Sequence, residues 1–501
     1  MLMFSSGCRA GAERNGPVRA AAVAGKFYPA ERTKLDQALS YYLTDAIAPR
    51  TAKPVAIVVP HAGIIYSGQI AADAFRQTAA FHYDVVVIIG TNHTTAGFGG
   101  VSVYARGAFE TPLGTVAVDE DIAQKLLAID KDFVFAPEVH KREHSVEVQV
   151  LFVQHLFPKA KIVPVVIGQP DADLCARFGR ALATVLNGKD ALIVASSDLA
   201  HYPAHEDAEK VDHQTIAAIA TMQPEKLQAT VQRQLRQGVP QLQTCACGEG
   251  PIMAAMTAAR GLGAPHATVI SYANSGDAAV GEYDQVVGYG AVVFSAGAET
   301  PDTSALATPA ADTLQAAYTA IPTDERKGLL ALARRSIEWY LKAGVNPLCR
   351  HVGAAAVRRQ GAFVTLKKRG DLRGCIGHMS EDMPLARAVS GMALMAAFQD
   401  ERFRPVTYDE LKDIEIEISA LTPFQRVPDA NSIKVGRDGV VLRKGGRSAV
   451  FLPQVAPEQG WTRDEMLDHL CLKAGLPEGS WKQGAEFSTF QAEVFSESDV
   501  K

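Results

Sequence analysis

The sequence predicts an α/β domain, a mostly parallel sheet with flanking helices, followed by a separate α+β domain. Three observations carry this. Over residues 17–296 short β-branched runs alternate with longer helical patterns, the mark of a layered α/β fold. A stretch dominated by Ala, Thr and Pro comes next, with almost nothing to bury. Beyond it, helices and strands no longer alternate regularly. The expected boundaries are a disordered tail over 1–16, a first domain over 17–296, a linker over 297–313 and a second domain over 314–498.

In chain order, Val55–Val59 and Val85–Ile89 are unbroken β-branched runs, as expected of strands buried on both faces. Ile162–Ile167, Leu192–Ala195, Ala267–Tyr272 and Tyr289–Phe294 complete the strand set. Helical patterns lie between them at about 31–45, 119–129, 144–156, 171–187, 206–221 and 250–261. In the second domain a helix near 324–343 precedes a strand at Gly361–Lys367. A tight turn around Gly370 and Asp371 makes that strand half of a hairpin. A helix near 384–398, strands at 414–420 and 439–451 and a helix over 463–474 finish the chain.

Composition narrows the function. With 501 residues, 47% hydrophobic and 21% charged, the chain is neither collagen-like, nor a rod, nor mostly disordered. A net charge of -5 gives no reason to expect nucleic acid or an anionic membrane as partner. Seven scattered cysteines do not form a disulfide scaffold, so a reducing cytoplasm is the expected compartment. No apolar stretch reaches the roughly 18 residues of a membrane span. The start, Met1 to Cys8, has an apolar run of four residues with no charge before it, so no signal peptide is expected.

Four polar clusters follow predicted strands or open a helix. Val55–Val59 runs into His61, the strand Val85–Ile89 leads to His93, and Leu192–Ala195 leads to Ser196, Ser197, Asp198 and His201. Cys245 and Cys247 precede an apolar helix, a position that favours thiolate. Ligands of open α/β sheets bind beyond the carboxyl ends of the strands, so these groups could converge. Imidazole and thiolate suit a first-row transition metal. Each cluster also has an ordinary reading: loop histidines held by hydrogen bonds, Asp198 as a helix cap, the serines as turn residues. In Glu143-His144-Ser-Val-Glu147, the two carboxylates share a helix face and could hydrogen-bond ligand imidazoles, or simply favour a helix start.

The motifs His61-Ala-Gly-x-x-Tyr66-Ser-Gly68, Glu143-His144-Ser-x-Glu147, Ser196-Ser-Asp198-x-x-His201 and Cys247-Gly-x-x-Pro251-Ile252 together resemble the Memo family over about 17–296. That family is similar to the class III extradiol dioxygenases in fold and pocket position. The resemblance implies His61, His93 and Cys247 as metal ligands, with iron as Fe2+ favoured over copper. It implies His201 as acid/base, Asp198 as an alternative or additional ligand, and His144 lining the cleft. A thiolate where the dioxygenases use a carboxylate argues against ordinary catechol cleavage.

In the second domain, Arg373 beside Cys375 could depress the thiol and bind an anion, or Cys375 could be strand packing with Gly374 and Gly377 serving close approach. On a regular strand the two side chains share a face. Leu372-Arg-Gly-Cys-Ile-Gly377, with Ala396-Ala-Phe-Gln-Asp400-x-Arg402-Phe403 and Glu415-Ile-Glu417-Ile-Ser419, resembles the AMMECR family over about 314–498. In prokaryotes both families are associated with a radical S-adenosylmethionine protein. No CxxxCxxC motif occurs in this chain, so that protein would be a separate partner. Two functions follow: a metal-dependent, dioxygenase-like oxidoreductase acting on an unknown small molecule or peptide, or a non-catalytic scaffold that binds metal, peptide or metabolite in the old pocket.

Overall fold

The computed structural model describes residues 16–297, 303, 320–350 and 353–500. The expected tail, with Cys8, and nearly all of the expected linker lie outside the described residues. The chain forms two compact units, one on either side of that linker.

Beside a small three-stranded sheet of Val18–Arg19, Ala108–Thr111 and Gly114–Ala117, the main sheet of the first unit has eight strands. These are β1 (Pro54–Val59), β2 (Val85–Thr91), β3 (Val101–Val103), β4 (Phe133–Val134), β5 (Lys161–Ile167), β6 (Ala191–Ser196), β7 (His266–Asn274) and β8 (Gly288–Ser295). Their order is β7-β8-β1-β6-β2-β5-β3-β4. The central β1, β6, β2 and β5 run parallel and are buried almost throughout. Four of its seven pairings are parallel, as expected, and the sheet is mixed at its edges: β8 is antiparallel to both β1 and β7, and β3 to β5. The cause at one edge is the connection. Residues 275–287 between β7 and β8 hold a single 3-10 turn, and a parallel neighbour would need a full crossover.

The helices that matter for the site are α1 (Arg32–Asp45), α2 (Ile64–Thr78), α3 (His144–Leu156), α4 (Ala172–Leu186), α5 (His205–Ala220) and α6 (Glu249–Gly261). The periodicity reading passes over α2, because twelve of its fifteen residues are buried and it has no wide polar face. Its inward polar groups bond the preceding segment: Gln69 donates to the Tyr42 carbonyl, Asp73 accepts from Ile47 N–H, and Gln77 donates to the Ile47 carbonyl.

The second unit contains α7 (Thr323–Ala343), β9 (Ala362–Lys368), β10 (Asp371–His378), α8 (Leu385–Phe398), β11 (Ile414–Leu421), β12 (Gln425–Val427), β13 (Gly439–Lys444), β14 (Arg447–Phe451), α9 (Arg463–Lys473), β15 (Glu486–Phe490) and β16 (Ala492–Ser496). They make two antiparallel sheets, β10-β9-β11-β16 and β12-β15-β13-β14. Residues 439–451 are thus a hairpin rather than one strand, turned at Gly445 and Gly446, both at positive φ. Leu329 and Leu332 of α7 and Leu385 and Val389 of α8 pack in one core with Val364, Leu366, Ile416 and Ile418 of the first sheet.

That core draws only on residues after the linker, so each unit should fold alone. Expressed separately, 17–296 and 314–498 should each unfold in one cooperative transition, and limited proteolysis of the whole chain should cut between Ala296 and Asp312. A fragment without native circular dichroism would contradict this.

Candidate metal centre

β1, β6 and β2 lie side by side, and each delivers a polar group just beyond its carboxyl end: His61 after β1, Ser196 to Asp198 at β6, His93 after β2. His144, the first residue of α3, joins them. The ring centroids are 5.2 Å apart for His61–His93, 5.4 Å for His61–His144 and 4.6 Å for His93–His144. One ring nitrogen from each falls within 4.8 Å of the others. Cys247 Sγ lies 3.3 Å from His61 Nε2. The clustered group is thus His61, His93 and His144, the last expected to line the cleft, while Cys247, expected as a ligand, stands beside His61. Gly248 permits this approach, since a Cβ there would lie 2.4 Å from the Ser196 carbonyl oxygen.

Hydrogen bonds decide which nitrogens are free. The Ser196 hydroxyl donates to the Ser145 carbonyl at 2.7 Å, so it accepts from Gln149 Nε2 at 2.8 Å and from His61 Nδ1 at 3.0 Å. The His61 proton is thereby assigned to Nδ1, leaving Nε2 as an acceptor. Glu143 fixes the orientation of His93. Its carboxylate takes the ring Nδ1–H at 2.9 Å, the His93 backbone N–H at 2.7 Å and the Ser145 N–H at 2.9 Å. Burial alone would raise Glu143, but the bonds from His93 and Ser145 outweigh it and hold the carboxyl well below its usual range. Burial, reinforced by the neighbouring imidazoles, keeps His61 neutral far below the ordinary histidine value, and burial lowers His144 as well.

Asp198 fastens the loops that carry the ligands. Its carboxylate accepts the N–H groups of His61 at 2.7 Å and Ala62 at 3.2 Å, and its carbonyl accepts Cys247 N–H at 3.2 Å. Burial raises its carboxyl. His201 is pinned through its backbone to Thr244 and Gln243, while its Nε2 is buried without a partner. Burial lowers this imidazole too.

Two expectations change. The helix start was expected to favour a Cys247 thiolate, yet burial and then the Asp198 charge push the thiol up, outweighing one helix terminus. Glu147 does not hydrogen-bond an imidazole. It points to the other side of α3, where it pairs with Arg19, takes the Tyr28 hydroxyl, and accepts Ala22 N–H at 2.8 Å and Val23 N–H at 3.1 Å. The sequence reading assigned no role to Gln149, Ser145, Arg19 or Tyr28. The available signal was three polar residues, Ser145, Glu147 and Gln149, alternating with valines in the first half of the helix, all fully buried.

In the second unit the hairpin forms as expected, but its turn is Arg369-Gly370, both at positive φ. A bulge falls between Leu372 and Gly374, opposite Leu366 and Lys367, so Arg373 leaves the alternation that would have put it on the face of Cys375. Its guanidinium holds Glu410 through Nε at 2.8 Å and Nη2 at 3.0 Å, and the Arg404 carbonyl at 2.8 Å. Cys375 is partly exposed, and its N–H donates to Asp400 at 2.9 Å. The motif arginine is thus committed to a fold contact. Arg373→Ala should destabilise the second unit by about 2 kcal/mol in urea titration, as loss of a charged, bidentate bond implies, and an unchanged midpoint would refute the buttress role.

Over residues 19–293 the sequence matches the family model described as Memo-like protein, and over 330–495 that described as AMMECR1. A MEMO1 family protein of Caldivirga maquilingensis is 35% identical over 287 residues, covering 55% of this chain and 98% of the relative. One from Aquifex aeolicus is 37% identical over 282 residues, covering 55% and 99%. Among solved structures, an uncharacterised protein of Pyrococcus horikoshii is 37% identical, covering 35% of this chain and 91% of its own, at a TM-score of 0.33. Among the described residues no helix is long and apolar enough to cross a membrane.

Proposed function

The chain belongs to the Memo-like family and carries an AMMECR1 domain, and from that premise we propose that its first unit is a metal-dependent oxidoreductase with a dioxygenase-like centre. The observation that carries the reading is the group of three imidazoles within 4.8 Å. The donor set fits a first-row metal. His61 and His93 each donate Nδ1–H, to Ser196 and to Glu143, so Nε2 is the nitrogen each ring offers to the site, and a soft thiol stands beside His61. Iron, ahead of copper, would be held by His61, His93 and Cys247, with His144 beside them. Bound there, it would supply a redox centre and a Lewis acid.

The protein's own groups do the rest. Asp198 fixes the His61 backbone and the Cys247 turn. Glu143 holds the His93 ring in one orientation. His201, neutral and with Nε2 unpartnered, takes a proton from a substrate hydroxyl. The AMMECR1 domain supplies substrate or partner contacts, and a separate radical S-adenosylmethionine protein works on the same process. Aerobic purification with metal analysis, followed by metabolite profiling of a deletion strain, tests the proposal. A protein that purifies without metal and takes up none from iron or copper salts would reject it.

A further inference from the structure

The three clustered imidazoles are not held alike. His61 has Ser196 on Nδ1 and His93 has Glu143 on Nδ1, at 3.0 and 2.9 Å. His144 has no such bond. The nearest carboxylate oxygen, on Glu143, is 3.5 Å from its Nδ1 and already takes the His93 and Ser145 N–H groups. What confines the His144 ring is packing. It stacks on His93 at an interplanar angle of 24°, and the Phe27 ring meets it edge-on at a centroid distance of 4.8 Å.

Phe27 is in turn tightly placed. Its N–H donates to the Val23 carbonyl at 2.9 Å, and its carbonyl accepts Ile64 N–H at 2.8 Å, at the start of α2 and three residues after His61. On either side of it, Ala22, Val23 and Tyr28 all donate to the Glu147 carboxylate. Glu147 lies one helical turn after His144, so one helix carries both the imidazole and the group that clasps its cover.

We infer that Phe27 is the positioning residue of His144, and that the Glu147 clasp acts on the metal centre through Phe27 rather than through an imidazole. The inference rests on the reading of these histidines as a metal site, and it makes the segment before α1 part of that site's wall. Of the rings that meet His144, His61 and His93 belong to the imidazole group itself, and Phe27 supplies an edge contact from outside it.

The test uses the full-length chain as wild type, Phe27→Ala, Phe27→Trp and Tyr28→Phe. In protein treated with chelator, diethyl pyrocarbonate modification of each histidine is followed by mass spectrometry. Phe27→Ala should raise the His144 rate about fivefold, the loss of one aromatic contact, with His61 and His93 unchanged. Phe27→Trp should return it to the wild-type rate, and Tyr28→Phe should give a smaller rise. An unchanged His144 rate in Phe27→Ala, or an equal rise at all three histidines, would overturn the inference. A second arm loads Co2+ and times its release to EDTA. Faster release from Phe27→Ala, restored by Phe27→Trp, supports positioning, and equal release rates oppose it. Wild-type protein that takes up no Co2+ would overturn the metal reading alone, since His144 labelling still decides the packing.

Discussion

Full-length protein carrying His61→Ala and Cys247→Ser should purify without the metal that the wild type holds. The wild type should carry close to one iron or copper per chain, and the double variant about a tenth of that or less, since two ligand losses each weaken a transition-metal site by at least a power of ten. His61 is the more telling of the two. Its Nδ1 is committed to Ser196 and its Nε2 faces Cys247 Sγ, so its removal takes away a preset nitrogen and frees the thiol it meets. His61 is also fully buried, and the alanine variant leaves a small void rather than an unpaired charge, so the fold should survive. The measurement is elemental analysis on gel-filtered protein, with circular dichroism as control. Wild type and variant with equal metal content would remove these residues from the ligand set.

The strands of the first unit were legible because β-branched runs with short, distinct helical patterns between them leave few alternatives. The central strands Val85–Thr91 and Lys161–Ile167 show no alternation because both faces are covered, and that is itself the signature of such a sheet. Three site groups, His61, His93 and Asp198, were legible as polar residues just past strand ends. What the sequence could not convey was direction. Glu143 and Glu147 sit at i and i+4, yet Glu143 caps the helix and turns to His93, while Glu147 faces Arg19 more than a hundred residues away in sequence. Spacing puts two residues on one side of a helix, but only the neighbouring chain determines which partner each one meets. The bulge at Arg373 is the same lesson in a strand: one extra residue reverses the face that alternation assigns.

The largest effect on stability is expected at that distant partner. Arg19 and Glu147 form an ion pair whose side chains are 3% and 0% exposed. Arg19 also donates to the His140 carbonyl at 3.0 Å and the Glu143 carbonyl at 2.6 Å, so its charge is fully committed inside the fold. Glu147→Leu leaves that guanidinium buried without its counter-charge, and strands Ala22 N–H, Val23 N–H and the Tyr28 hydroxyl as well. Breaking one side of a buried pair costs about 3–5 kcal/mol, which in a unit of this size lowers the melting temperature by about 10 °C or more. Removing both charges is a different case. In Arg19→Met/Glu147→Leu the uncompensated charge is gone and only the neutral donors lack partners, so the double variant should be more stable than Glu147→Leu alone by about 1–2 kcal/mol. The ordering, wild type above the double variant and the double variant above Glu147→Leu, is the diagnostic result. Calorimetry of the first unit, residues 17–296, gives all three values directly. Additive losses in the double variant would mean that the two side chains act independently, and the ion pair would then not be what fastens the segment around Arg19 to α3.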